Sequence, residues 1–226
     1  MHADGTPTGA VKARALVHAD GDWHRTRTVW AVLVNAGGDA LPVLQKRGLR
    51  KEAWPGRLDV SSAGHVRAGD TDLWREVEEE LGQRPGANEA LALGERRVAS
   101  SRGEGQFDRE IQELWLWRCS RDLVDLQPAY PEVQELLAVS IADLKRLVRG
   151  EAKQVPALVR GPGSTRVKTG YAAVGQLIPG DDTYFLQVCE IIERVLAGMC
   201  WTPYIGNVIE GGGRVAGAQP PTPRSG

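Results

Sequence analysis

Two runs rich in apolar and β-branched residues, Thr26–Asn35 and Leu41–Arg47, flank the segment Ala36-Gly37-Gly38-Asp39-Ala40. Strand-length runs around a glycine turn predict a β-hairpin. Leu58–Ser62 predicts a short strand leading into Ala63 and Gly64, and Gln106–Arg118 and Val133–Val139 predict two more. Within Gln106–Arg118 the Trp115-Leu116-Trp117 segment suits a half-buried pleated surface, and its indoles read as core rather than as a base-stacking platform. The period changes to helical after Ser140, which precedes Ile141 and is followed three residues on by Asp143. That is an N-cap signature, so Ile141–Arg149 is predicted helical. Phe185, Val188, Ile192, Val195 and Leu196 recur at helical spacing and predict a C-terminal helix from Asp182 to about Ala197. Strands interleaved with helices point to the α/β class, a sheet packed between helices in one domain.

The stretch Leu73–Gly82, LWREVEEELG, is the most informative one. On a helix, Leu73, Trp74, Val77 and Leu81 fall within an arc of about 100°. Asp72, Glu76, Glu79 and Glu80 fill an adjoining arc of about the same width. Two like charges about 6 Å apart repel by roughly 3 kcal/mol at an effective dielectric near 20. A solvated acidic face tolerates that repulsion, and so does a face that gathers a hard divalent cation, since Mg²⁺ prefers carboxylate oxygen.

Composition removes several alternatives. The 226 residues are ample for a real core, and 28 Lys plus Arg against 29 Asp plus Glu exclude a nucleic-acid binder that works through a global basic field. Arginine supplies 22 of the cations and suits planar contacts to phosphate. The longest apolar stretches are strand-sized, so no membrane span is expected. The N-terminal MHADGTPTGAVKARA lacks the apolar core of a secretory signal. Cys119, Cys189 and Cys200 are odd in number and lack CxxC spacing, which fits a reducing cytoplasm better than a disulfide framework. The organisation expected is a flexible N-terminus over residues 1–10, a domain over 11–200 and a Gly/Pro-rich disordered tail over 211–226.

Upstream of the acidic stretch, Gly64-His65-Val66-Arg67-Ala68-Gly69-Asp70 is a glycine-bounded loop. Here the chain resembles the Nudix hydrolase family, whose signature is a glycine, five residues, a glutamate, seven residues, then R-E-U-x-E-E-x-G-U with U apolar. Gly64 matches the first glycine and Asp70 the acid, while Arg75, Glu76, Val77, Glu79, Glu80 and Gly82 match the helical half. Two positions depart from the pattern. Only four residues separate Asp70 from Arg75, and Gln83 stands where an apolar residue is expected. The shortening leaves open whether Asp70 reaches Arg75 as the family's glutamate does, with Asp72 as a partial substitute.

The resemblance implies an α/β/α sandwich around a mixed sheet, here with an additional C-terminal helix. It also implies a metal site for Mg²⁺, or Mn²⁺, and attack of water at phosphorus in a nucleoside diphosphate derivative. On that basis Glu76, Glu79 and Glu80 are metal ligands together with the carbonyl of Gly64 or Ala63. Glu76, Glu79 and Arg75 form the catalytic set, Arg75 holding a neighbouring carboxylate in position. A small-molecule diphosphate is the implied partner, with a homodimer as an open assembly state.

A second resemblance covers about residues 4–160. His24-Arg25, Gln45-Lys46-Arg47, Lys51, Trp54-Pro55-Gly56 and Gly64-His65 look like the branch of the family containing isopentenyl-diphosphate isomerase. That enzyme holds a metal with three histidines and two acids and uses a cysteine just before the Gly-His pair. The matching positions are His18, His24, His65, Asp108 and Glu110, with Arg47 and Lys51 toward diphosphate. The cysteine position is Ala63, which cannot transfer a proton. Substrate contacts are therefore expected at Arg47, Lys51, His65 and Glu110, with His18 and His24 read as structural or solvated. Hydrolysis is the leading reading, and the rivals are an isomerase and a catalytically silent nucleotide-binding module.

Overall fold

The computed structural model describes residues 1–35, 37–101, 107–179, 182–200 and 204–211. Chain order is α1 (Arg14–Asp20), β1 (Trp23–Val34), β2 (Ala40–Arg47), β3 (Leu58–Asp59), β4 (Ser62–His65) and α2 (Arg75–Leu81). There follow β5 (Ala90–Ser101), β6 (Phe107–Arg118), β7 (Val133–Ala138), α3 (Ile141–Val148), β8 (Gln154–Arg160), β9 (Lys168–Ala173), α4 (Asp182–Leu196) and β10 (Tyr204–Gly211). The strands form a sheet in the order β10-β5-β6-β1-β2-β7-β8-β9, with β3 added to β2 and β4 to β1. The β1/β6 and β10/β5 pairs are parallel and the other pairs antiparallel, so the sheet is mixed, as expected.

Alternation along the strands sends side chains to two cores. Trp30, Val32, Leu114 and Leu116 face one side, where Ile141, Leu144 and Leu147 of α3 and Phe185, Val188 and Ile192 of α4 cover them. Val29, Ala31, Leu33 and Trp117 face the other side, against Val77 and Leu81 of α2 and Leu123 and Leu126 of a later loop. Helices thus flank the sheet on both faces. A seven-residue helix has little stability alone. Burying Val77 and Leu81 supplies roughly 1.5–3 kcal/mol each and holds α2 in place.

Strand β1 makes the fork that positions the site. Thr26–Val29 pairs with β4, whereas Val32–Val34 pairs with β2, so β2 and β4 diverge from one edge of β1. Ser61 sits at the divergence: its hydroxyl accepts from Ala31 N at 2.7 Å and donates to Val43 O. The predicted strand Leu58–Ser62 is accordingly split, Leu58-Asp59 pairing with β2 and Ser62 onward with β1.

The predicted hairpin and the α3 N-cap are present, Ser140 Oγ accepting from Asp143 N at 3.1 Å. Strand β5 escaped the pattern because a bulge between Ala92 and Gly94 shifts its register and Glu95, Arg96 and Arg97 interrupt its apolar run. At the N-terminus the Met1 ammonium donates to Trp23 O at 3.0 Å, and Arg25 and Arg97 donate to the carbonyls of Gly5 and Asp4. Gly211 is the last residue of β10, and the rest of the expected tail, 212–226, lies outside the described residues. No helix among the described residues is long and apolar enough to cross a membrane.

Candidate active site

The acidic helix begins later than its sequence predicts. Asp70 Oδ1 accepts from Asp72 N, and Asp72 Oδ1 accepts from Trp74 N, so residues 70–74 form two successive side-chain-capped turns. Leu73 is consequently 44% exposed, and Asp72 leaves the carboxylate face to pair with Arg84 at 2.8 Å. Helix α2 then runs from Arg75 to Leu81 and ends at Gly82, whose φ of 69° is the left-handed conformation glycine adopts freely.

Arg75 organises this end. Its Nε lies 3.1 Å from Asp70 Oδ2, and its Nη1 lies 2.8 Å from Glu76 Oε1 and 3.0 Å from Glu79 Oε2. Burial works against the guanidinium charge, but hydrogen bonds to Asp70, Glu79 and Glu76 outweigh it and raise its pKa. Arg75 in turn holds the Asp70 carboxyl below the usual range.

Glu76 lies against Gly64. A Cβ on Gly64 would stand 2.3 Å from Glu76 Cγ and 2.5 Å from its Cδ, so only glycine admits the carboxylate this close to β4. One turn on, Glu80 is buried. Its Oε2 accepts from Ala63 N at 3.3 Å and Gln45 Nε2 at 3.2 Å, and its Oε1 lies 3.4 Å from Lys51 Nζ. Burial raises the Glu80 pKa, and the Lys51 charge opposes that rise. Glu76 and Glu80 therefore face β4, while Glu79, half exposed, stays with Arg75 at the rim.

Strand register brings a second donor set to the other end of β4. Thr26 lies opposite His65, and His24 lies beside Glu110 in the parallel β1/β6 pair. His18 reaches in from α1. His18 Nε2 and His65 Nε2 are 3.2 Å apart, and the His24 and His65 rings stack with centroids 4.9 Å apart. Asp108 Oδ1 lies 3.4 Å from His18 Nδ1 and 3.7 Å from His24 Nε2. One ligand atom each from His18, His24 and His65 lies within 4.8 Å of the others, and the same holds for His24, Asp108 and Glu110. Burial first, with the neighbouring His24 and Arg14 adding to it, pushes His65 down to about 4 despite the opposing Glu110 charge. Its imidazole is neutral near pH 7, the form that ligates a metal.

Whether a cation suits this cluster is decided by His24. Its Nδ1 lies 3.1 Å from Asp22 O, an acceptor, so the ring proton is on Nδ1. In the neutral ring Nε2 then carries a lone pair, is buried, and has no hydrogen-bond partner among the described residues. A buried acceptor among two imidazoles and two carboxylates fits a divalent cation of mixed nitrogen and oxygen preference.

The remaining predicted contacts are placed differently. Lys51 sits between Glu80 and Glu132, 2.6 Å from the latter. Arg47 is held by neighbours on its own side of the chain, its Nη1 2.7 Å from Asp59 Oδ2 and its Nε bonded to Ala53 O. Sequence reasoning quoted Gln45, a polar residue buried within the run Val43–Arg47, without giving it a role, and missed Gln112, which donates to Glu110 Oε2 at 2.7 Å. A glutamine inside an apolar strand was the available signal for Gln45.

Comparison with known proteins identifies the family. The NUDIX domain model matches residues 24–158, more than half of the chain. The chain belongs to the NUDIX domain family. The curated relatives of this Nudix chain include Nudix hydrolase 3 of Arabidopsis thaliana, 51% identical over 81 residues, which are 34% of this chain and 10% of that protein. An uncharacterized Nudix hydrolase of Clostridium acetobutylicum is 32% identical over 139 residues, covering 61% of this chain and 66% of the relative. The chain thus spans about a tenth of the first and just under two thirds of the second. Isopentenyl-diphosphate Delta-isomerase of Escherichia coli is 36% identical over 72 residues, 32% of this chain and 37% of that enzyme. Among solved structures, the NUDIX domain of Shewanella oneidensis NrtR complexed with ADP ribose aligns at 12% identity and a TM-score of 0.48, covering 81% of this chain and 99% of that one.

Proposed function

We propose that this Nudix domain is a divalent-cation-dependent hydrolase that cleaves a diphosphate linkage in a nucleoside diphosphate derivative or related small molecule. The observation that carries the reading is the packing of β4 against α2, with Glu76 on Gly64 and Glu80 on the Ala63 amide, beside an Arg75 clamped by Asp70 and Glu79. Enzymes of this family use divalent metals such as Mg²⁺, and Glu76, Glu79 and Glu80 would hold Mg²⁺ or Mn²⁺ here, with the backbone at Gly64. Bound there, the cation would neutralise the diphosphate and acidify the attacking water.

The chain's own groups do the rest. Arg75 fixes Glu76 and Glu79 so that their carboxylates do not splay under mutual repulsion. Lys51 holds a positive charge beside Glu80, where a phosphate oxygen is to be received. In the reaction a water oxygen bonds to one phosphorus, the bridging P–O bond breaks, and the leaving phosphate oxygen keeps the electron pair. A carboxylate of the Glu76/Glu79 pair takes the proton of the water. His65 on β4 and Glu110 on β6 flank β1 and are assigned to the substrate side.

The convergence of His18, His24, His65, Asp108 and Glu110 favours one second reading, isomerisation of an alkenyl diphosphate. Ala63 counts against it, since a methyl group supplies no proton to carbon. A panel of nucleoside di- and triphosphates, sugar nucleotides, dinucleotides, ADP-ribose and prenyl diphosphates with Mg²⁺ or Mn²⁺ separates the two. Hydrolysis is expected, with solvent ¹⁸O entering one phosphate product. The E79Q/E80Q double variant should fold yet lose turnover; full activity in that variant refutes the assignment. Deuterium uptake into isopentenyl diphosphate without phosphate release would select the isomerase.

A further inference from the structure

Helix α4 lies beyond the span matched by the family, residues 24–158, yet a chain of polar contacts ties it to Glu110. Trp30 Nε1 donates to the Tyr184 hydroxyl at 2.9 Å, and the guanidinium carbon of Arg96 lies 4.1 Å over the Tyr184 ring. Arg96 is buried, and its Nη1 donates to Gln112 Oε1 at 3.4 Å. Gln112 Nε2 then donates to Glu110 Oε2 at 2.7 Å, and the Thr26 hydroxyl donates to the same oxygen at 3.3 Å.

The polarity of this chain is fixed from the arginine outward. A guanidinium only donates, so the Gln112 amide must turn its oxygen toward Arg96 and its nitrogen toward Glu110. With Arg96 removed the amide is free to flip, and its oxygen would then meet the Glu110 carboxylate, a repulsive contact. The Tyr184 ring holds the buried cation over its face and so keeps Arg96 in the orientation that reads out at Gln112. Within the Nudix sheet itself nothing in the sequence pattern calls for a buried arginine on β5; its use becomes evident only with α4 in place.

We propose that Gln112, oriented by Arg96 and Tyr184, is a positioning residue for Glu110, and that the C-terminal helix is thereby part of the site. The proposal rests on the reading that Glu110 belongs to the working cluster. It predicts that the cluster binds a cation less well when the relay is cut, although none of the three relay residues belongs to the cluster. Outer partners of metal ligands change affinity by about 10–100-fold.

The test titrates the whole chain with Co²⁺ alone, whose visible absorption reports imidazole ligation, and measures turnover on the best substrate of the panel. Gln112→Ala and Arg96→Met should weaken Co²⁺ binding about tenfold or more and lower kcat/KM for the organic substrate. Arg96→Lys, which keeps a donor and a charge, should recover part of both. Tyr184→Leu, which removes the ring face under the guanidinium, should follow Arg96→Met. Gln112 is only half-buried, so its alanine variant keeps the test valid if the Arg96 variant does not fold. Wild-type Co²⁺ affinity and kcat/KM in Gln112→Ala overturn the proposal. A chain that hydrolyses nothing yet shows the Co²⁺ differences overturns the hydrolase reading and leaves the relay standing.

Discussion

Asp70 Oδ2 lies 3.1 Å from Arg75 Nε, although only four residues separate the two in sequence. The two capped turns over residues 70–74 make this reach possible: they carry the chain from loop to helix without the missing turn. Asp70 thereby joins Glu76 and Glu79 around one guanidinium, and Asp72 is released to Arg84 instead of substituting for it. Asp70→Asn should lower kcat about tenfold, the lower end of what outer partners of metal ligands control. Its melting temperature should stay close to that of the parent, since asparagine keeps the side-chain oxygen that accepts from Asp72 N. Unchanged kcat would remove Asp70 from the machinery.

Gly64 is a steric requirement. Gly64→Ala places a methyl within the Glu76 side chain, so either β4 or the carboxylate must shift. Overpacking of this kind destabilises by typically about 1–3 kcal/mol, the loss expected in a denaturant titration. Adding Glu76→Ala should restore stability without restoring turnover. A double-mutant cycle with no coupling between the two positions would contradict the contact.

Glu80 sets activity against stability. Its carboxylate is buried, and burial raises its pKa, so its ionised form is held at a cost to folding. Glu80→Gln should keep or raise the melting temperature while turnover falls about a hundredfold, the upper end of the range for groups that hold a metal site together. In the variant Lys51 still has Glu132 at 2.6 Å. A clear loss of thermal stability would mean that the Lys51–Glu80 pair carries the fold.

Glu89 supplies an acid limb to stability. Its carboxylate accepts from Gly86 N, the Ser120 hydroxyl and Trp117 Nε1, with Arg121 nearby, and these hold its pKa down to about 2 against an ordinary 4.5. A carboxylate depressed in the folded state stabilises above its unfolded pKa and loses that contribution as pH falls toward the folded value. Melting temperatures of the wild type should therefore drop between about pH 4.5 and pH 2 more steeply than those of Glu89→Gln. Parallel curves would show that the network does not depend on the charge.

Cation binding at the histidine cluster should be visible in stability alone. A ligand present at about 100 times its Kd stabilises by about 2.7 kcal/mol, which for a chain of this size is roughly 5–10 °C in Tm. Co²⁺, an ion suited to imidazole ligands, should produce that shift in the wild type, and His24→Ala should lose most of it, since the buried lone pair of Nε2 is gone. An equal shift in both proteins would place the cation elsewhere.

Much of the architecture is legible in local sequence. The hairpin of β1 and β2, the α3 N-cap at Ser140, the apolar stripe of α4 and the carboxylates of α2 are local signals, written in periods of two or 3.6 residues. The motif around Gly64 and Arg75–Glu80 is also local, and it carries the family resemblance. Other features have no local signature. Gln45 and Ala63 meet Glu80 across 35 and 17 residues, and Arg96 meets Gln112 across 16.

The amino-acid order thus determined which segments form strands and helices, and that one helix would gather carboxylates beside a glycine loop. The tertiary structure alone decided that Glu80 is buried rather than exposed, and that Arg47 turns to Asp59. It also decided that His18, His24, His65, Asp108 and Glu110, far apart along the chain, converge at one end of β4. The reason is physical: periodicity records which face of an element avoids water, whereas the meeting of polar groups depends on strand register and crossover, which no single segment encodes.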